Sequence, residues 1–117
     1  SSKVVDILKD RGVMVRENSQ GWLENAYNLR IINKSEHEQT VTATVKGFDD
    51  IALTGLPENG IKIAPRETVT IPVQVSTLPE YAEKGSQPIE FTFTYRETDA
   101  ADAEPTVLNE KATFIGE

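Results

Sequence analysis

The chain has 117 residues and contains no cysteine. It can form no disulfide, and it offers no thiolate to zinc or to an iron–sulfur cluster. Histidine, methionine and tryptophan each occur once. Zinc and copper sites draw on several His, Cys or Met ligands, so a metal centre lacks its usual donors. No stretch approaches the ~20 apolar residues that a membrane helix needs. The first residues show no succession of basic, apolar and small residues such as a secretion signal carries. The chain starts Ser1-Ser2-Lys3, without Met, and is expected to be a domain cut from a longer protein. Positive charge is scarce too: 12 Lys and Arg stand against 19 Asp and Glu, a net charge of −7. That balance argues against nucleic acid and anionic lipid as partners. The acidic residues are spread along the chain, as on a well-solvated surface.

What is present is alternation. Val41, Ala43 and Val45 alternate with Thr40, Thr42, Thr44 and Lys46. Val69, Ile71, Val73 and Val75 alternate with Thr70, Pro72 and Gln74. Ile89, Phe91, Phe93 and Tyr95 alternate with Glu90, Thr92 and Thr94. Leu23, Asn25, Tyr27, Leu29 and Ile31 alternate with Glu24, Asn28 and Arg30. Successive side chains of a strand point to opposite faces, so each run predicts a strand with one buried and one wet side. A short first strand is expected over residues 13–17, and a last one over 106–115 with Val107, Ala112, Phe114 and Ile115. Small strands are expected at 51–53 and 61–63.

Polar turn and loop stretches separate these runs: 18–21, 33–39, 55–60 with its Asn59-Gly60 turn, 78–87 with a helical turn over 79–84, and a polar hairpin loop over 98–105. Pro72 cannot donate a ladder hydrogen bond, so its strand should be an edge strand or be interrupted there. Strands of this length and spacing predict an all-β, immunoglobulin-like sandwich of about seven antiparallel strands in two sheets. An open barrel is the alternative. Residues 13–117 form the expected domain, and 1–12 read as a lead-in whose Val4, Val5, Ile7 and Leu8 pack somewhere.

The search for chemistry finds little. His37 lies in the polar turn Ser35-Glu36-His37-Glu38, where neighbouring residues seldom converge on one ion, and reads as an exposed side chain. Met14 reads as core. No Gly-x-Ser-x-Gly elbow, phosphate loop or dinucleotide glycine pattern occurs. The carboxylate pairs Asp49-Asp50 and Asp99 with Asp102 read as solvated loops, with calcium over 99–104 as an outside alternative. Asn33-Lys34-Ser35 matches the glycan acceptor rule. Trp22 is expected to cover one end of the core. Asn25 shares the inward phase of Leu23 and Tyr27 and is expected to tie a neighbouring loop, and Asn33 to bond local backbone after its strand. No residue is assigned a catalytic, cofactor or metal role.

Residues 10–17, Asp10-Arg11-Gly12-Val13-Met14-Val15-Arg16-Glu17, precede a run that begins Leu23-Glu24-Asn25-Ala26-Tyr27-Asn28-Leu29 and ends Arg30-Ile31-Ile32-Asn33-Lys34. Together they resemble the start of the C-terminal Ig-like domain of the FixG/CcoG family, accessory proteins for assembly of cbb3-type cytochrome c oxidase. Gly47, Gly85, Pro88, Ile89 and Phe91 fit the family pattern more loosely. The resemblance implies a parent protein with several helices in the bacterial inner membrane, [4Fe–4S] motifs and a role in copper handling. This domain would then be its periplasmic end, with Asp10 and Arg11 just outside the last helix. None of the parent's cluster or copper ligands carries over to a residue here, so no cofactor is expected in this chain. The implied function is non-catalytic: protein–protein interaction, with oxidase subunits or copper carriers as partners. The alternative is an Ig-like adhesin or carbohydrate-binding module of a secreted protein, with Trp22 and Tyr81 as its aromatic candidates. Asp10, Arg11, Trp22, Asn25, Tyr27 and Asn33 are the positions singled out for structure or interaction.

Overall fold

The computed structural model describes residues 5–9 and 15–116. Strands form where apolar and polar residues alternate. In chain order they are β1 (Val5–Lys9), β2 (Arg16–Glu17), β3 (Leu23–Ile32), β4 (Gln39–Lys46), β5 (Ile51–Thr54), β6 (Ile61–Ile63), β7 (Thr68–Thr77), β8 (Gly85–Glu97) and β9 (Thr106–Gly116). A 3-10 turn, Thr98–Ala100, sits in the β8–β9 hairpin loop. One sheet runs β1-β3-β7-β5, with β2 beside β3, and the other runs β6-β4-β8-β9. All pairings are antiparallel. The order matches the two sheets of an immunoglobulin-like sandwich, with β6 added beside β4.

The core lies between the inner faces. Tyr27, Leu29 and Ile31 of β3, Val73 and Val75 of β7, Phe91 and Phe93 of β8, and Phe114 of β9 are all buried. Edge-to-face ring pairs join the sheets and loops, Tyr27 with Phe91 at 5.7 Å and Phe48 with Phe114 at 5.3 Å. Such pairs add about 0.5–1.5 kcal/mol beyond the area they bury. The expected phases hold on β3, β4, β7 and β8.

The structure adds detail to three expectations. Residues 5–9, read as part of a lead-in, form an edge strand of the first sheet, paired from Val5↔Ile31 to Lys9↔Tyr27. Val5 is buried in the core and Ile7 packs against it. Leu8, in the outward phase, is apolar and exposed, which blurs the alternation of this strand. On β9 the inward phase belongs to Leu108, Ala112 and Phe114, while Val107 faces solvent at 51% exposure. The adjacent pair Val107-Leu108 left that phase ambiguous. Of the expected strand at 13–17, the described part pairs only at Arg16 and Glu17; Val13 and Met14 lie outside the described residues.

Pro72 sits where its chemistry allows. β5 pairs with β7 only from Gln74 to Thr77, so Pro72 has a ladder neighbour on one side alone, at Asn28. The chain leaving β5 closes over that spot: a Cβ at Gly55, whose φ is +109°, would come within 2.7 Å of the Pro72 carbonyl oxygen. Glycine is required there by both the dihedral and the space.

Candidate functional site

The inward phase of β3 carries two polar side chains into the core, and both cross to the other sheet. Asn25 is 1% exposed. Its Nδ2 donates to the Ile115 carbonyl at 2.9 Å, and its Oδ1 accepts from the Ile115 amide at 2.8 Å. The side-chain amide thus completes a ladder rung on β9, the last strand of its sheet. The expected partner was a neighbouring loop; the actual partner is a strand backbone ninety residues on. Tyr27 repeats the device one step along, its hydroxyl donating to the Thr113 carbonyl at 2.7 Å. Burial raises the Tyr27 pKa well above the ordinary phenol value and keeps the hydroxyl protonated, as a donor must be. Beside it a cleft of about 310 Å³ opens between the sheets, lined by Ile7, Tyr27, Ala112 and Thr113.

Asn33 closes the opposite end. It is 2% exposed, and its Nδ2 donates to the carbonyls of His37, Ile63 and Ala64 at 2.8, 3.0 and 3.1 Å. Its Oδ1 accepts from the amide and hydroxyl of Ser35. The local bonding expected for Asn33 is present, and it also ties the β3–β4 turn to the end of β6. A buried amide with these bonds has no room for a glycan, so the sequon is structural. A shallow cleft of about 190 Å³ opens beside it, between Ile32, Tyr95 and Thr106. Burial pushes the Tyr95 pKa up to about 12.

The remaining candidates do not converge. Asp10 and Arg11 lie outside the described residues. Trp22 is half-buried in the turn that Asn18 organises by accepting from the Gln20 and Trp22 amides. Expected to cover the core, Trp22 is outside the packed cluster. Tyr81 lies near Asp49, Asp50 and Glu80, and its pKa is raised by desolvation first and then by Asp50, Glu80 and Asp49. Neither ring belongs to an aromatic pair among the described residues. His37 is exposed. Among the described residues no three His, Cys, Asp or Glu side chains gather to hold a metal. An iron–sulfur cluster takes thiolate ligands, which this sequence does not contain, so the chain does not fit one.

Sequence reasoning missed the edge of β9. Ile115 and Thr113 bond to side chains of β3 through groups that point away from β8. In an antiparallel ladder that direction alternates. The amides and carbonyls of Val107, Asn109 and Lys111 therefore also point away from β8. A long terminal strand with polar outward residues was the available signal, but its phase could not be read.

A family model described as the Ig-like fold at the C-terminal of FixG, putative oxidoreductase, matches residues 1–117. Among solved structures, a FixG-related protein from Vibrio parahaemolyticus superposes with a TM-score of 0.71 at 21% identity, covering 97% of this chain and 94% of that one. The GAE domain of yeast GGA1 superposes with a TM-score of 0.56 at 9% identity, over 97% and 93% of the two chains. At these identities the two structures speak for the fold. No curated protein matches the chain.

Proposed function

The chain belongs to the family of Ig-like domains at the C-terminal of FixG, and from that premise we propose that it is a non-catalytic interaction module. In this reading it is the periplasmic end of a membrane-bound FixG/CcoG-like protein that serves cbb3-type oxidase assembly and copper handling. Redox chemistry belongs to other parts of the parent, and this domain docks an oxidase subunit or a copper carrier. The observation that carries the reading is the family match over the whole chain, in a sequence without cysteine. The acidic surface, −7 overall, favours encounter with a basic partner.

The test is to delete this domain from the parent and to measure both oxidase maturation and the parent's iron–sulfur content. The reading expects impaired maturation with clusters intact. Normal maturation overturns it, and so does loss of the clusters, which would place the domain in the redox part's own folding.

A further inference from the structure

We propose that the outward edge of β9 at Val107, Asn109 and Lys111 receives an extended segment of a partner protein, antiparallel, with basic residues at its C-terminal end. The proposal rests on the interaction-module reading and gives it a surface and a ligand chemistry.

Open strand edges template pairing with another chain, and folded proteins usually blunt them. Most edges here are blunted. β5 has four residues and β6 three. The part of β7 beyond β5 contains Pro72. At the C-terminal end of β9, Asn25 and Tyr27 occupy the outward groups. Among the described residues, none covers the outward backbone of β9 before Thr113 in this way. Among the described residues none bonds to the outward backbone groups of Val107, Asn109 or Lys111. Val107 is one of two large apolar side chains strongly exposed among the described residues, and it lies on this edge. A β-strand ligand would gain main-chain hydrogen bonds from these three residues and a side-chain contact from Val107.

Charge selects the occupant. Asp99, Asp102 and Glu104 are exposed in the loop that leads into β9. At the other end of the open stretch stands Lys111. A second copy of this chain would bring another −7 against this one, which disfavours self-pairing. A strand antiparallel to β9 runs towards the loop and ends over its carboxylates, so its basic residues belong at its C-terminal end.

The experiment titrates the isotope-labelled chain with the peptide Thr-Val-Thr-Val-Thr-Lys-Lys, and in parallel with Thr-Val-Thr-Val-Thr-Glu-Glu, and reads amide hydrogen exchange. The expected result is slowed exchange at Val107, Asn109 and Lys111, with little change at Leu108 and Glu110, which already face β8. The lysine peptide should bind about tenfold more tightly than the glutamate peptide. Asn109→Pro removes an outward donor and should abolish binding. The paired change Asp102→Lys with Glu104→Lys lies in an exposed loop, leaves the fold alone and should reverse the charge preference. The proposal is overturned by unchanged exchange at the three amides, by equal binding of the two peptides, or by protection that appears without peptide as concentration rises, which would mean self-pairing. If deleting the whole domain impairs oxidase maturation while the peptides leave the edge untouched, the interaction reading stands and this surface does not. If deletion has no effect, that reading falls whatever the peptides do.

Discussion

The two halves of β9 share one strand and one ladder to β8, yet their outer edges are treated in opposite ways. Around Thr113 and Ile115 the outward groups are met by Asn25 and Tyr27 from the other sheet. Around Val107, Asn109 and Lys111 no described residue meets them. The closed half holds the two sheets together by hydrogen bonds inside the core, where an unmade bond is costly. In the open half no described residue meets those groups, and water satisfies such exposed groups at little cost. A single strand thus serves cohesion at one end and presents an unspent backbone at the other.

The comparison breaks most severely at Asn25. Asn25→Ala leaves the Ile115 amide and carbonyl without partners and opens a cavity, and should cost about 3 kcal/mol or more of stability in urea unfolding. A loss below about 1 kcal/mol would mean that water replaces the rung and that the closed half is not closed. Tyr27→Phe keeps the ring and its contact with Phe91 and removes one bond to Thr113, for an expected loss of about 1–2 kcal/mol.

Alkaline pH should act on Tyr27 in the closed half and on Tyr95 at the opposite end, where it pairs with Thr106. Burial holds the Tyr27 pKa high and that of Tyr95 at about 12, above the ordinary value near 10 that both have when unfolded. Groups with raised native pKa stabilise fully below the unfolded value, and the contribution is lost as pH climbs through the native one. Thermal stability should therefore fall as pH rises from about 10 towards 12 and beyond, and fall less in Tyr27→Phe. The smallest effect belongs to the open half. Asn109→Pro removes an amide that bonds to no described residue, together with the bond that its side-chain oxygen accepts from the Thr92 hydroxyl, and should shift stability by less than about 1 kcal/mol. A larger loss would show that the edge is covered.

Much of the sandwich was legible because burial on one face imposes a period of two, which β3, β4, β7 and β8 follow over most of their length, although β7 ends with Val75, Ser76 and Thr77 all buried. Pro72 was legible for the same kind of reason, since a missing donor restricts where it sits. β1 was less so: five residues with an exposed Leu8 give too short and too noisy a period. Periodicity also showed that Asn25 points inward, but not what it meets. Its partner and that of Tyr27 lie ninety and eighty-six residues away, and only the stacking of the two sheets brings them together. Asn33 was half legible, because His37 and Ser35 are near in sequence while Ile63 and Ala64 are not. Trp22 misled, since a lone Trp at a strand entry suits a core lid as well as the half-buried turn residue it is.

The most direct test of the divided edge is native-state amide exchange along β9 of the free chain. Ile115, bonded to Asn25, should exchange slowly, as should Leu108 and Glu110, which face β8, while Val107, Asn109 and Lys111 exchange orders of magnitude faster. Protection of those three amides equal to that of Ile115 would contradict the account, because the whole edge would then be closed.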